Sequence, residues 1–317
     1  MTGSADSADV AGAAGYRPLL FSIAYGLTGS VGDAEDLVQD TFLGLARAAR
    51  AGTAITDPKA YLTTAVTRLG INHLKSARVR REAYVGEWLP EPVVSTAERP
   101  GPAEHAELAD TLSMAFLVLM EALSPVERAV FTLREAFGYG YPEVAEMVGK
   151  SEANCRQIFA RARKRLAPAA APEDGPALPV PARRAEGDEL ARRFFEVAEG
   201  GDLDALLGML APDVVLQGDG GGKARALAHC LTDPRRVAQM LIGGLHRIRR
   251  LGACLVPARV NGRPGAVVYD AGQRVASVIE LDIDADGAVR AVHAVSNPDK
   301  LAHLGPVSDL GLLPEPN

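Results

Sequence analysis

Cysteine is scarce: Cys155, Cys230 and Cys254 stand far apart in 317 residues, with no paired spacing. That excludes a disulfide framework and argues against a cysteine zinc site, and it fits a cytoplasmic protein with reduced thiols. No apolar run reaches the roughly 20 residues a membrane-spanning helix needs, so no membrane association is expected. Residues 1–15 are small and polar, without the apolar segment of a secretory signal, and read as a disordered lead. An excess of basic charge is missing too. The formal net charge is −6, which argues against a protein that coats nucleic acid non-specifically. Tryptophan occurs once, as Trp88. What is present is ordinary and globular. The 47% hydrophobic content suffices for packed cores, and the length suits two or three domains. Two local basic stretches stand out, Lys75 to Arg81 and Lys150 to Arg165.

The second basic stretch lies in the most informative part of the chain, Leu123 to Leu166. Ser124-Pro125-Val126-Glu127 has the spacing of a capping box with proline in the first turn. Val126, Val130, Leu133 and Phe137 then recur at helical spacing up to Gly138. Tyr141-Pro142-Glu143 opens a short second helix, Gly149 permits a sharp turn, and Ser151 caps a third. On that third helix Cys155, Ile158, Phe159, Ala162 and Leu166 share one face. Asn154, Arg156, Gln157, Arg161, Arg163, Lys164 and Arg165 take the remainder. A polar, mostly positive helix after a glycine turn fits the DNA major groove, with early residues at base edges and later basic ones at phosphates. The alternative is an amphipathic surface helix with a solvated charge run.

Upstream, residues 16–50 show two helical patterns, the second starting near Asp33 with Asp33, Glu35, Asp36 and Asp40 in its first turns. Acidic residues there favour the helix dipole; they also suit an acidic, amphipathic docking surface. Asp57-Pro58-Lys59 opens a third helix that ends in basic residues. Residues 82–102 read as a linker, kept extended by the prolines of Trp88-Leu89-Pro90-Glu91-Pro92. A lone tryptophan there is expected to dock rather than stay in water. A helix over 106–122 precedes the helix-turn-helix. After it, a Pro/Ala-rich stretch marks a boundary. A helix from Asp188, another over 203–210, a strand over 213–217 and a helix over 235–245 follow. Strands over 255–260, 266–270, 275–282 and 288–296 come next, the first two joined by Asn261-Gly262. Helices followed by a meander indicate an α+β domain.

The all-helical part resembles the extracytoplasmic-function sigma factors, the promoter-recognition subunits of bacterial RNA polymerase. Asp33-Ala34-Glu35-Asp36-Leu37-Val38-Gln39-Asp40-Thr41-Phe42 is similar to the region-two segment that docks on the polymerase clamp. Ala60 to Arg81 is similar to the part that reads and melts the minus-ten element, although Tyr61 stands where many members have tryptophan. Leu123-Ser124-Pro125 with Tyr141 to Leu166 is similar to region four, which reads the minus-thirty-five element. Trp88 to Pro92, Asp219-Gly220-Gly221-Gly222-Lys223 and Asn297-Pro298-Asp299-Lys300-Leu301 resemble markers of the sigma group with a SnoaL-like C-terminal extension.

The resemblance implies a multidomain fold: two all-α sigma modules, then an α+β SnoaL-like (nuclear-transport-factor-2-like) cone-shaped barrel. Its parts would be region two over 14–82, a linker over 83–105, region four over 106–168, a Pro/Ala linker over 169–187 and the SnoaL-like domain over 188–304. It implies DNA contacts by Lys150, Ser151, Glu152, Asn154, Arg156, Gln157, Arg161 and Lys164, and by Asn72, His73, Lys75, Arg78, Arg80 and Arg81. Polymerase contacts would come from Asp33, Glu35, Asp36, Gln39, Asp40 and Phe42. Regulatory contacts would come from Trp88, Leu89, Pro90, Asp219, Gly220, Asn297, Pro298, Asp299, Lys300 and Leu301. The implied partners are the polymerase core, through its β and β′ subunits, and promoter DNA, with room for a small ligand in the C-terminal cavity. No catalytic residue, metal or cofactor is expected. The alternative reading is a ligand-sensing helix-turn-helix regulator, or a cyclase-like enzyme using the C-terminal pocket with Asp213, Asp219, His229 and His293 for acid–base work. Two further patterns fail as motifs. Asp282 to Gly287 imitates a calcium loop but has His293 where glutamate is needed. Gly218 to Lys223 imitates a phosphate loop but has Gln217 and Ala224 at required positions.

Overall fold

Proline in the first turn and a left-handed glycine at the end delimit the first long helix, α1 (Arg17–Thr28). Gly29 takes φ 65°, and its N–H closes on Tyr25 O at 2.7 Å, satisfying one of the helix's last carbonyls. The computed structural model describes residues 12–82, 84–95, 112–166 and 181–313, without the side chains of 77–82 and 181–184. Contacts divide the chain into two units: one comprises residues 1–83, 102–108 and 116–177, the other 84–101, 109–115 and 178–317.

In the first unit α2 (Val31–Arg50) starts at the cap Ser30, whose Oγ accepts from Asp33 N. That is two residues before the start expected from the sequence. Asp57 Oδ1 accepts from Ala60 N at the head of α3 (Pro58–Glu82). Gly70 lets α3 lie against α1, because a Cβ there would sit 2.7 Å from Leu27 Cδ1. The helical residues that follow are α4 (Met114–Met120), α5 (Pro125–Glu135), α6 (Tyr141–Val148) and α7 (Glu152–Leu166). Ser124 and Glu127 form the expected capping box. α5 ends at Glu135, and Gly138 turns the chain beyond it with φ 69°. The expected helix over 106–122 lies outside the described residues up to 111. Within them it is confined to α4, followed by a turn.

Two arginines tie the α1–α3 bundle to the helix-turn-helix. Arg128 of α5 is 3% exposed. It donates to Leu27 O at 2.8 Å, to Met120 O at 3.1 Å and to Glu121 Oε1 at 2.5 Å. Arg68 of α3 donates to Glu146 O at 2.9 Å and Met147 O at 3.2 Å. Both guanidinium groups thus serve carbonyls in the last turn of a helix, groups that have no intrahelical donor.

The second unit is a six-stranded sheet in the order β1-β3-β4-β5-β6-β2. The strands are β1 (Val94–Ser95), β2 (Leu210–Asp219), β3 (Cys254–Val260), β4 (Arg263–Tyr269), β5 (Val275–Ile283) and β6 (Val289–Val295). β3 to β6 form the antiparallel meander, and β2 pairs parallel with β6. Asn261 (φ 50°) and Gly262 (φ 72°) make the two-residue turn between β3 and β4, both left-handed as such a hairpin requires. On one face lie α8 (Pro181–Gly200), α9 (Leu203–Leu207) and α10 (Pro234–Arg250). Phe194, Phe195, Leu206, Val237 and Leu245 pack there against Val214, Leu216, Val268, Ile279, Leu281 and Val292. α8 begins at Pro181, inside the stretch the sequence reading gave to a linker reaching 187, because proline serves as a helix start there. The other face is crossed by a strap of residues 84–95 and 112–115. Its β1 pairs Val94 with Val260 and Ser95 with Arg259.

Candidate nucleic-acid interface and the strap contact

The apolar face expected of α7 is observed: Cys155, Ile158, Ala162 and Leu166 are buried, and Phe159 stacks on Phe131 at 5.4 Å. Lys150, Ser151, Arg156, Gln157, Arg161 and Lys164 are exposed, while Glu152 and Asn154 are half-buried. Arg156 pairs with Glu152 at 3.1 Å and lies 5.0 Å from the Tyr141 ring centroid. Arg134 lies 4.3 Å from the same ring. Tyr141 meets Phe159 edge-on, so a half-buried ring packed on the helix-turn-helix lies beside the Arg156 guanidinium. Sequence reasoning took Tyr141 only as a helix start. Arg165 is committed internally, 2.8 Å from Glu127. Burial pushes the Glu127 carboxyl up, but hydrogen bonds from Ser124 and the Arg165 and Arg161 charges hold it below its ordinary value.

On α2, Asp36, Gln39 and Asp40 are exposed, Phe42 is half-buried, and Leu43 is 46% exposed. Asp33 faces His73 at 3.1 Å, and Glu35 pairs with Arg17. The acidic segment is therefore divided: two carboxylates serve the bundle, and two look outward beside Leu43, which belongs to the apolar pattern of this helix but is exposed. Asn72 and Lys75 are exposed on α3. Arg78, Arg80 and Arg81 fall where side chains are not described.

The expected regulatory residues converge within the second unit. Asp219 ends β2 with its side chain fully buried. Its Oδ2 accepts from Lys300 Nζ at 2.6 Å and from the Leu89 N–H at 2.8 Å. Its Oδ1 accepts from the Tyr84 hydroxyl at 2.5 Å and the Gly221 N–H at 3.0 Å. Lys300 also donates to Leu89 O, and its ammonium lies 4.8 Å from the Tyr84 ring centroid and 4.4 Å from that of Trp88. Asn297 donates to the Tyr84 hydroxyl at 2.8 Å and caps α11 (Pro298–Leu301). Burial, then the bond to Asp219, pushes the Tyr84 phenol well above its usual range. Gly220 and Gly221 are required by crowding: a Cβ would lie 2.1 Å from Ala224 O and 2.2 Å from Asn297 Nδ2, respectively. Lys223 pairs with Asp299 at 2.7 Å, so the lysine of the phosphate-loop look-alike serves a protein carboxylate.

Sequence reasoning missed three further strap contacts. Asn261 exchanges hydrogen bonds with Val93 and donates to Leu112 O at 2.9 Å. His303 meets Pro92 O at 2.9 Å. Buried Glu280 accepts from Met114 N at 3.3 Å and contacts His293 at 2.8 Å. Only the turn signal of Asn261 was visible, and it concealed the side chain's second role. The acid–base candidates are not grouped as a reactive set. Asp213 pairs with Arg290, His229 is exposed, Asp219 serves the strap, and His293 serves Glu280. Asp284 Oδ1 accepts from Asp286 N and Ala288 N, making the calcium-loop look-alike a hairpin turn. Among the described residues no cluster of histidine, cysteine and carboxylates could hold a metal ion, and no helix is long and apolar enough to cross a membrane.

Residues 13–80 match the family model for sigma-70 region 2, and residues 113–166 match that for sigma-70 region 4. The chain is 38% identical over 295 residues to ECF RNA polymerase sigma factor SigJ of Mycobacterium tuberculosis, covering 90% of each chain. It is 30% identical over 289 residues to the probable ECF RNA polymerase sigma factor SigI of the same species, covering 90% of this chain and 92% of the relative. The crystal structure of the SigJ protein superposes with a TM-score of 0.71 at 34% identity, covering 91% of this chain and 96% of that one. Because the likeness runs past both helical modules and through the sheet, in sequence and in structure, the chain belongs to the extracytoplasmic-function sigma factors that direct RNA polymerase to specific promoters.

Proposed function

We propose that this sigma factor is governed in cis by its C-terminal domain, through the strap that joins the two promoter-reading modules. The observation that carries this is Asp219: one buried carboxylate holds Tyr84 and Leu89 of the strap together with Lys300 of the tail. A strap fixed at one end of region four biases the spacing at which the modules are presented, and only the arrangement matching the promoter spacing is competent. Asp36, Gln39, Asp40 and Phe42 dock on the core polymerase clamp at the β and β′ subunits, with Asp33 and Glu35 shaping that helix. Arg156, Gln157 and Asn154 read the upstream element, supported by Glu152. Lys150, Ser151, Arg161 and Lys164 meet its phosphates. Asn72, His73, Lys75, Arg78, Arg80 and Arg81 hold the downstream strand, and capture of its melted bases costs a few kcal/mol that such contacts offset. The modules act as 14–82 and 106–168, with the sheet domain of 188–304 extended by the strap. The protein performs no covalent chemistry and works in the cytoplasm.

The test is reconstituted transcription with core polymerase. Trp88→Ala removes the ring beneath Lys300, an interaction worth about 0.5–2 kcal/mol. It is expected to change transcript yield without loss of soluble, folded protein, as is truncation from Asn297. Parental yield from both variants at every promoter tried would rule out regulation in cis.

A further inference from the structure

α10 has an unusual charge distribution for a protein of net charge −6. Its sequence, PRRVAQMLIGGLHRIRR, holds five arginines and no acidic residue. Its apolar side is used: Val237, Ala238 and Leu245 are buried in the core with Leu241, Ile242 and Ile248 against them. At 100° per residue Arg235, Arg236, Arg247 and Arg250 fall within an arc of about 120° away from that side, and Arg249 lies at the margin of the apolar arc. Arg235, Arg236, Arg247, Arg249 and Arg250 are all exposed, and among the described residues none has a carboxylate partner. Gly243 and Gly244 sit midway along the helix with open space where a Cβ would be. They leave a shallow recess of about 310 Å³ bordered by Arg236, Gln239 and Met240.

Four such guanidinium groups on one ordered face, with Arg249 at its margin, repel one another, and a polyanion relieves that repulsion. Because the apolar side is already packed, the helix cannot insert into a lipid surface as a free amphipathic helix does. Promoter DNA is the polyanion this family holds close by. The domain that carries α10 follows the helix-turn-helix in the same chain, so it is tethered to the module assigned to the upstream element. The arginine groups at the two ends of α10 are roughly 20 Å apart along its axis, enough to touch phosphates on both sides of a groove. We infer that α10 is a second DNA contact, a sequence-independent phosphate-binding face that grips duplex next to the upstream element.

The experiment uses holoenzyme assembled with core polymerase. Promoter fragments either end at the two elements or continue upstream by two helical turns, about 20 base pairs. The variant replaces Arg235, Arg236, Arg247, Arg249 and Arg250 with glutamine. On the longer fragment it is expected to bind at least about tenfold more weakly and to lower the slope of log affinity against log salt by about 2–4. Backbone protection beside the upstream element is lost, while preference among element sequences is unchanged. The short fragment shows little difference. An unchanged slope and footprint on the longer fragment would overturn the proposal. So would loss of core polymerase binding in the absence of DNA, which would make the face a polymerase contact. If the fivefold variant melts early, the pair Arg235/Arg236 and the triple Arg247/Arg249/Arg250 are replaced separately. Each is then expected to give part of the slope change, and none in either would count equally against the inference.

Discussion

Arg156 owes its direction to two neighbours, the Glu152 carboxylate and the Tyr141 ring. An arginine held this way arrives at a base edge with less rotamer freedom to lose. Arg156→Ala should weaken upstream-element binding by about 1–3 kcal/mol and relax preference at the base it reads. Lys164→Ala should weaken binding evenly across sequences and lower the salt slope by about 1. Competition binding with single-base promoter variants separates the two; undiminished selectivity of the Arg156 variant would reject its assignment. Asp270 offers a pH test. Hydrogen bonds from the Ser308 hydroxyl and the Arg274 and Gly272 N–H groups, with the Arg274 side chain, hold its carboxyl down to about 2. A group whose pKa is depressed on folding stabilises above its unfolded value and loses that stabilisation as pH falls through the folded one. Stability of the C-terminal domain should therefore drop between about pH 4 and 2. Asp270→Asn should flatten that segment of a melting-temperature profile against pH.

At the scale of elements, much was legible because local chemistry and tertiary need agree. The Ser124/Glu127 spacing gave the start of α5, and the apolar residues of α7 gave its packed face. Asn261-Gly262 gave the β3–β4 turn. The strap was not legible as structure. Its only strand has two residues, too short for any periodicity, and its order comes from partners more than a hundred positions away. Arg128 was invisible for a different reason: an arginine within an amphipathic helix looks solvated, and only the fold supplies the carbonyls it serves. α2 carries the docking prediction. Asp36 is exposed, so Asp36→Arg should leave the bundle intact while reversing charge on the proposed docking surface. Co-purification with core polymerase should be lost while circular dichroism is unchanged; a complex that persists at ordinary salt would count against the docking surface.

For the molecule as a whole, the candidate site was only partly readable. The resemblance pointed to Trp88 and the Asn297–Leu301 segment, and the geometry adds Tyr84, Asn261 and His303. Hydrogen-bond partners of this kind depend on which face of the sheet the strap crosses, and no sequence spacing encodes that. Between the two helical modules, Arg128 makes the most consequential contact. Arg128→Ala would strand Leu27 O without its side-chain donor and leave Glu121 without its ion-pair partner, and should cost about 3 kcal/mol, measurable as a lowered urea midpoint at constant m-value.

That contact has a consequence for how such proteins diverge. Arg128 and Arg68 bond mainly to backbone oxygens, which every residue type carries alike. Positions 27, 146 and 147 are therefore free to change identity without breaking the bond. Comparison of many relatives should find the two arginines retained with no compensating partner, so a search for paired substitutions across the module boundary would pass over the very bonds that hold it.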